Sequence, residues 1–390
     1  MQNTVGKRRI GDAVQPGSKK KRCIQWFNGD NSPEDSAGAK HSVSGRPLEN
    51  LSATALTRNL RRGRDTRRPT QRDVARAAGV SQATVSRFFS EQGYVASETV
   101  ELIREAAGAL SYEVDSLARS LVKGESDIYA LVMGTLTNPF YPFALERLTT
   151  KIRSQGREVL LFNAAREQDL DALLPVVLKY RVRGVLILTA DLSSRLALEL
   201  DRRNIPAVLF NRYNRVGTVH SVVCDNVEGG RRVADEFLNA GHRRIGYLGG
   251  TAGTSTNHDR RKGLVNRLSE RGIKPLFTIE REFTHGWGWE AAASIVRDHP
   301  GTEAVFCGDD AIAMGLMDGL RELGMLNDRA PFSIVGFDDI PSAAWPAYAL
   351  STIRQPVDKM IDLALTVLED GTVEKKINLL PGDLIRRKSF

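Results

Sequence analysis

The sequence predicts an α + α/β protein, with a small all-helical unit near the N-terminus followed by a two-lobed body of parallel sheets. Three observations carry that prediction. Between residues 69 and 112, apolar residues recur at helical spacing in three short stretches punctuated by turn signals. From Ile128 onward, short apolar runs alternate with helical stretches of ten or more residues, as βαβ units do. That second part runs to about 260 residues, too long for one small doubly wound sheet, so it divides in two.

Composition narrows the function classes. Of 390 residues, 41% are hydrophobic and 26% charged, which fits a soluble globular chain. No run approaches the roughly eighteen apolar residues needed to span a bilayer. "MQNTVGKRRIGDAVQPGSKKKR" has no apolar core of the kind a secretory signal carries. The cysteines, Cys23, Cys224 and Cys307, are far apart and odd in number, and the six histidines are scattered. Neither a disulfide framework nor a metal site is expected, nor any membrane partner, and a reduced cytoplasm is the expected compartment.

The net charge of +8 is unevenly placed. Residues 1–66 hold 13 Lys and Arg against 6 Asp and Glu, whereas residues 67–126 hold 8 of each. Residues 1–66, rich in Gly, Ser and Asn and without a sustained period, read as a disordered basic tail. Its "GKRR" and "KKKR" could hold nucleic acid electrostatically. Equally, the stretch reads as a solvated tail or as an upstream start that the native protein does not use.

Residues 67–113 form the first structured unit. Thr70-Gln71-Arg72-Asp73 is a capping-box pattern that opens a helix carrying Val74, Ala75 and Ala78 on one face. Gly79 then ends that helix as a left-handed C′ residue would. Ser81 can cap a second helix bearing Thr84, Val85, Phe88 and Phe89. A third begins at Ser97, with Glu98 and Glu101 in its positive first turn and Leu102, Ile103, Ala106 and Leu110 as its apolar face.

"RDVARAAGVSQATVSRFF" thus supplies a helix-turn-helix in order: capped first helix, glycine turn, Val80 and Val85 as core pegs, and a small polar front on the second helix. In such units the second helix enters the major groove by its N-terminal residues. A nearly neutral front fits that task. Charge there would hold any phosphate equally, whereas sequence is read by hydrogen bonds and methyl contacts at base edges. Gln82 can pair with adenine, Ala83 can touch a thymine methyl, and Arg87 can reach guanine or phosphate. Thr70, Ser81, Thr84 and Ser86 are DNA-binding candidates for phosphate contact. Spacing alone also allows a purely structural three-helix unit.

The body follows from Ile128. Its apolar runs are "IYALVMG", "EVLLFN", "GVLILT", "PAVLF", "RIGYLGG", "EAVFCG" and "FSIVGF". Helical stretches such as 143–155, 168–180, 226–240, 309–323 and 356–370 follow them. Continuous apolar strands imply parallel sheets covered on both faces. The break between lobes falls near "VVCDNVEGG", 222–230, and ligands in such sheets bind beyond the carboxyl ends of the strands.

The resemblance of residues 69–124 goes further than spacing. Asp73-Val74-Ala75, Ala78-Gly79-Val80-Ser81 and Ala83-Thr84-Val85-Ser86-Arg87 closely resemble the headpiece signature of the lactose/galactose-repressor (LacI/GalR) family of bacterial transcription regulators. The likeness extends over essentially residues 69–390. It implies that 114–126, which includes "VDSLARSLV", is a hinge helix or linker that folds when a dimer sits on its operator. It also implies that Leu121 is a minor-groove wedge beside Ala118 and Arg119. Val114-Asp115 stands where the family usually has Pro-Asn, and Ser90 where Asn is usual. Asp115 can still cap a helix, but without the proline the hinge's entry angle is not set.

Residues 127–390 are similar to the two-lobed, periplasmic-binding-protein-like (type I) effector domain, with "TLTNPFY", "NR", "CDNVEGG", "AGHRRIGYLGG", "FCGDDAIAMG" and "VGFDD" as landmarks. The resemblance implies that Arg260 holds ligand hydroxyls or carboxylate and that Asp338 accepts from sugar hydroxyls. It also makes Asp310 the usual site aspartate, puts an aromatic platform at Phe283, and sets Phe140 and Tyr141 on the rim of the first lobe. Plain alternatives stand beside these roles: helix capping for Asp225 and Asp310, and core packing for Phe140 and Phe283. Asp309 replaces the usual Asn, and the added carboxylate favours a neutral sugar or polyol, or a cationic group, over an acid.

An enzyme using a nucleotide is the alternative of a different class. "GYLGGTAGTS" is glycine-rich after a strand, yet it matches neither GxGxxG nor GxxxxGK[ST], and no HExxH or Ser/His/Asp order stands out. The expectation is therefore not an enzyme, with no catalytic residue, metal or cofactor. It is a ligand-responsive, sequence-specific DNA-binding regulator, a repressor of sugar or related catabolic genes. Its expected partners are double-stranded operator DNA with pseudo-palindromic symmetry, a sugar or polyol effector and a second copy of itself.

Overall fold

The computed structural model describes residues 67–90, 93–113, 126–134, 136–164, 173, 175–188, 199–214, 219–326, 330–370 and 376–390. The expected tail 1–66, the hinge residues 114–125 with Arg119 and Leu121, and part of the expected helix 168–180 lie outside the described residues.

The helical unit comprises α1 (Gln71–Ala78), α2 (Gln82–Ser90) and α3 (Ser97–Ala109). Its first turn is closed by the Asp73 carboxylate. The Thr70 amide and hydroxyl both donate to Asp73 Oδ2, at 3.0 and 2.7 Å. Gly79 sits at φ +68°, where an L side chain would be strained, and Val80 N–H returns to the Ala75 carbonyl at 3.0 Å. Ser81 Oγ accepts the Thr84 amide at 3.1 Å and opens α2. Val74, Ala75, Ala78, Val85, Ile103, Ala106 and Ala107 close the core, with Val80, Phe88 and Phe89 packed against it. Leu102, expected on the apolar face, is instead 50% exposed. With Ile103 fully buried, one residue back along the helix turns by about 100°, which is enough to leave the core.

In the body, β1 (Ile128–Met133), α4 (Phe140–Ser154), β2 (Glu158–Asn163), β3 (Gly184–Ile187), β4 (Ala207–Phe210) and β5 (His220–Cys224) build the first lobe. The chain leaves this sheet after Cys224, inside the stretch the sequence marked as the break. The second lobe then runs α5 (Asn226–Asn239), β6 (Ile245–Gly249), α6 (Ser255–Ser269), β7 (Phe277–Glu280), α7 (His285–Asp298), β8 (Ala304–Cys307), α8 (Asp310–Glu322), β9 (Ser333–Asp338) and β10 (Ser351–Arg354). The break is not the whole story, because the chain recrosses twice. α9 (Val357–Asp370) returns to the first lobe, where Asp358 pairs with Arg147 on α4 at 2.6 Å. β11 (Ile377–Leu380) joins the first sheet beside β5, and β12 (Asp383–Ile385) joins the second beside β10.

Strand order is β2-β1-β3-β4-β5-β11 in one lobe and β7-β6-β8-β9-β10-β12 in the other, so the two sheets are wound alike. Every pairing is parallel except β12 on β10. Each sheet therefore reverses direction once, between β1 and β3 and between β6 and β8. Loops diverge at such a point and leave a crevice beyond the carboxyl ends of the strands. One helix pair beside it is in backbone contact. A Cβ on Gly230 of α5 would lie 2.2 Å from the Arg260 carbonyl, and one on Gly263 of α6 would lie 2.0 Å from the Val227 carbonyl. That approach seats Arg260 at a fixed depth between the lobes.

Candidate functional site

The crevice holds a narrow cavity, and every side chain lining it stands beyond the carboxyl end of a strand. The first lobe contributes Asn138, Phe140 and Tyr141 after β1, and Asn211 and Arg212 after β4. The second contributes Thr256 and Arg260 after β6, Phe283 after β7, Asp309 after β8 and Asp338 at the end of β9. Five of the six residues expected to bind an effector are thus brought together: Phe140, Tyr141, Arg260, Phe283 and Asp338.

Arg260 organises the second-lobe wall. It is 2% exposed, and each of its nitrogens has a partner: Nε donates to Asn226 Oδ1 at 2.8 Å, Nη1 to the Gly308 carbonyl at 2.6 Å, and Nη2 to Asp338 Oδ1 at 3.2 Å. Its guanidinium lies 3.7 Å above the Phe337 ring. A charge so buried persists because each nitrogen is hydrogen-bonded and Asp338 pairs with it. Asp338 Oδ1 also accepts from Gln355 Nε2 at 2.7 Å, so both of these bonds fall on one oxygen. Burial pushes the Asp338 carboxyl up to about 7, while Arg260 pulls against it.

The acidic pair at the start of α8 divides differently from expectation. Asp310 does not line the cavity. It lies fully buried behind it, where Oδ2 accepts the Ile340 amide at 2.9 Å and Oδ1 the Thr352 hydroxyl at 2.5 Å. It tethers α8 to the strand ends, close to the capping alternative. Asp309 faces the cavity and caps α8, with Oδ1 accepting the Ile312 amide at 2.8 Å. Its Oδ2 accepts Asn138 Nδ2 at 2.7 Å, a bond that spans the two lobes. Asp309 therefore does not present the spare carboxylate that its substitution for Asn suggested, because both of its oxygens are engaged. Asp225 is a plain cap, accepting the Glu228 amide at 3.0 Å.

Four lining residues carried no assigned role in the sequence: Asn138, Asn211, Arg212 and Thr256. Asn138 and the Asn211-Arg212 pair stood within landmarks of the resemblance, in "TLTNPFY" and "NR", without a role of their own. Asn211 adopts φ +69°, and Asp338 adopts φ 121°. Non-glycine residues held at positive φ concentrate where a scaffold fixes a functional geometry. Asn211 Oδ1 and Arg212 Nε are buried and without a hydrogen-bond partner. A wider open groove of about 1280 Å³ lies outside the second lobe along α6 and β7, and it gathers none of the residues the sequence singled out.

On the helical unit, Thr70, Ser81, Gln82, Ala83, Ser86 and Arg87 are exposed, and Thr84 is half-buried. Ser81 and Thr84 are partly committed to each other, with their hydroxyls 2.8 Å apart. Val85 points inward and is fully buried, so the remaining front of α2 is free for a ligand surface. Tyr94, ahead of α3, is 87% exposed and went unassigned in the sequence because a single loop aromatic has no period.

Two family descriptions match the chain: "Bacterial regulatory proteins, lacI family" over residues 70–115, and "Periplasmic binding protein-like domain" over residues 234–390. The HTH-type transcriptional repressor PurR of Photorhabdus laumondii is 31% identical over 314 residues, spanning 79% of this chain and 91% of the relative. The same-named protein of Serratia proteamaculans is 30% identical with the same coverage. Among solved structures, the lac repressor dimer bound to operator and the anti-inducer ONPF superposes with a TM-score of 0.74 at 23% identity, covering 83% of this chain and 99% of the other. The transcriptional regulator CelR in complex with cellobiose gives 0.60 at 26% identity, covering 83% and 100%.

Proposed function

The chain belongs to the lacI family of bacterial regulatory proteins, and on that premise we propose that its cleft binds a small polyhydroxy effector, a single sugar or polyol, which controls how α2 holds operator DNA. Ligand-responsive, DNA-binding transcriptional regulation is the activity of the family, and the matched relatives are repressors rather than enzymes. The proposal is finer than that. The observation that carries it is the lining of the crevice, where the hydrogen-bonding groups of Asn138, Asn211, Arg260, Asp309 and Asp338 stand with the aromatic rings of Phe140, Tyr141 and Phe283. One solved relative, CelR, is in complex with cellobiose, which supports a carbohydrate. Repression of sugar or related catabolic genes in the bacterial cytoplasm follows from that reading.

For DNA, Gln82, Ala83 and Arg87 read base edges, with Thr70, Ser81, Thr84 and Ser86 on phosphates and Tyr94 at the margin. Leu121 and Arg119 are assigned to the minor groove. Two copies bind one pseudo-palindrome, each supplying one α2 to a half-site. Ligand binding and DNA binding are then coupled reciprocally by linkage.

A thermal-shift screen of the protein against sugars, polyols and purines tests the reading, followed by anisotropy on a selected operator with each hit. A sugar or polyol that raises the melting temperature and changes operator affinity is expected. Shifts by purines alone would replace the carbohydrate assignment, and a hit that leaves operator affinity unchanged would remove the coupling.

A further inference from the structure

Arg212 is the feature the proposed function leaves unused. It follows β4 directly and lines the cavity, yet its Nε is buried without a partner. Its guanidinium lies 5.9 Å from the Phe283 ring, which holds the plane but satisfies no donor. The segment around it is fixed, because Tyr213 spans to the second lobe. The Tyr213 amide donates to Ser255 Oγ at 3.1 Å, and its hydroxyl to Asp259 Oδ2 at 2.8 Å.

The carboxylates in and around the cleft wall are already engaged with other groups. Asp338 holds Arg260, Asp309 holds Asn138 and the α8 terminus, Asp310 holds Thr352 and Ile340, and Asp259 holds Tyr213. A buried guanidinium nitrogen left without an acceptor costs free energy that a ligand oxygen would recover. The Nε–Nη edge presents two parallel N–H donors, the fork that matches an oxyanion and not a single hydroxyl. Beside it the pattern reverses: Asn211 Oδ1 is a buried acceptor without a donor, and on the second-lobe wall Asp338 takes the Arg260 and Gln355 bonds on Oδ1, not Oδ2. Those two sites ask for hydroxyls.

We infer that the effector is a polyhydroxy compound bearing one anionic group, read by Arg212, with hydroxyls on Asn211 and Asp338. This rests on the cleft being a polyhydroxy-ligand site, and it deepens that reading by fixing the charge of the ligand. It also reverses the neutral preference that Asp309 suggested. Carboxylate and phosphate share the recognition chemistry, and the test distinguishes them.

Calorimetry on the full chain would use matched probes: glucose, glucuronate and glucose 6-phosphate; galactose, galacturonate and galactose 6-phosphate; ribose and ribose 5-phosphate. In at least one set the anionic member should bind about ten-fold or more tighter than its neutral parent. Whichever of the acid or phosphate shows this names the group. Arg212→Gln should close the gap between them, with a thermal melt confirming that the variant is folded, and Arg212→Lys should retain part of it. A neutral parent that binds as tightly as its anionic partners overturns this inference and leaves the polyhydroxy reading standing. So does a preference that survives in Arg212→Gln. Failure of every probe overturns both.

Discussion

The two recognition surfaces of this chain solve opposite problems. The front of α2 is exposed and almost uncharged, and its polar side chains are held only by a cap at Ser81 and the short Ser81–Thr84 contact. The second-lobe wall of the cleft is buried and heavily charged, and Arg260, Asp338 and Asp309 arrive already bonded. A surface that meets DNA exchanges water for base edges only in the complex, so its groups can stay solvated and neutral until then. A surface inside a closing crevice has lost its water before the ligand comes, so its charges must be paired in advance. The contrast separates folding from recognition. Substitutions on the exposed front of α2 should alter binding alone, whereas substitutions in the cleft should alter folding first.

The largest expected effect tests the cleft half of that contrast. Arg260→Ala removes the common partner of Asn226, the Gly308 carbonyl and Asp338 at a site only 2% exposed. Breaking a buried pair by deleting one member should cost about 3–5 kcal/mol of stability, measured by denaturant unfolding of the variant beside the parent chain. A loss below about 1 kcal/mol, the range of an exposed pair, would mean that the wall is solvated and the contrast is wrong.

Arg87→Ala tests the other half with a smaller effect. Arg87 is exposed and not part of the core around Val85, so stability should stay within about 0.5 kcal/mol. If Arg87 reads a base, discrimination between a selected operator and a scrambled duplex should fall by about 1–3 kcal/mol. Anisotropy titrations on both duplexes measure this. Equal weakening on both would move Arg87 to a phosphate and leave base reading to Gln82 and Ala83.

The sequence disclosed these two surfaces unequally, and the reason is physical. The helical unit was legible almost throughout, since caps, glycine turn and apolar spacing are all local. Strands β1, β3, β4, β6, β8 and β9 were legible because both their faces are covered. β7, β10, β11 and β12 were not, being short and mixed in character. β11 and β12 form only by pairing with strands far back in the chain, Ile377 with Ser221 for one. In the cleft, Arg260 and Asp338 came from resemblance, whereas Asn138, Asn211 and Thr256 look like ordinary turn and helix residues until the lobes meet. Asp309 and Asp310 show the limit most clearly. Two adjacent acids at a helix start are equivalent in sequence. Only the last pleat of β8 decides which one caps toward the cavity and which turns back onto Thr352.

The smallest expected effect is a pH dependence, and it has opposite signs for folding and for binding. Burial pushes the Asp338 carboxyl up to about 7, above its value in an unfolded chain. The folded chain then holds that proton over a window in which the unfolded chain has released it. The contribution of Asp338 to stability is therefore full below about pH 4 and is lost as pH rises through about 7. Binding runs the other way. A hydroxyl donating to Asp338 Oδ2 needs the ionised acceptor, so affinity for a neutral sugar should increase as pH rises through the same region. A neutral sugar has no titration of its own between pH 6 and 8, so calorimetry across that interval isolates the protein. The ionised fraction of a group with a pKa of about 7 changes by about ten-fold there, and affinity should follow by up to that factor. Asp338→Asn should flatten the profile. A flat profile in the parent chain would place the ligand hydroxyl on some other acceptor of the wall and make Asp338 only the anchor of Arg260.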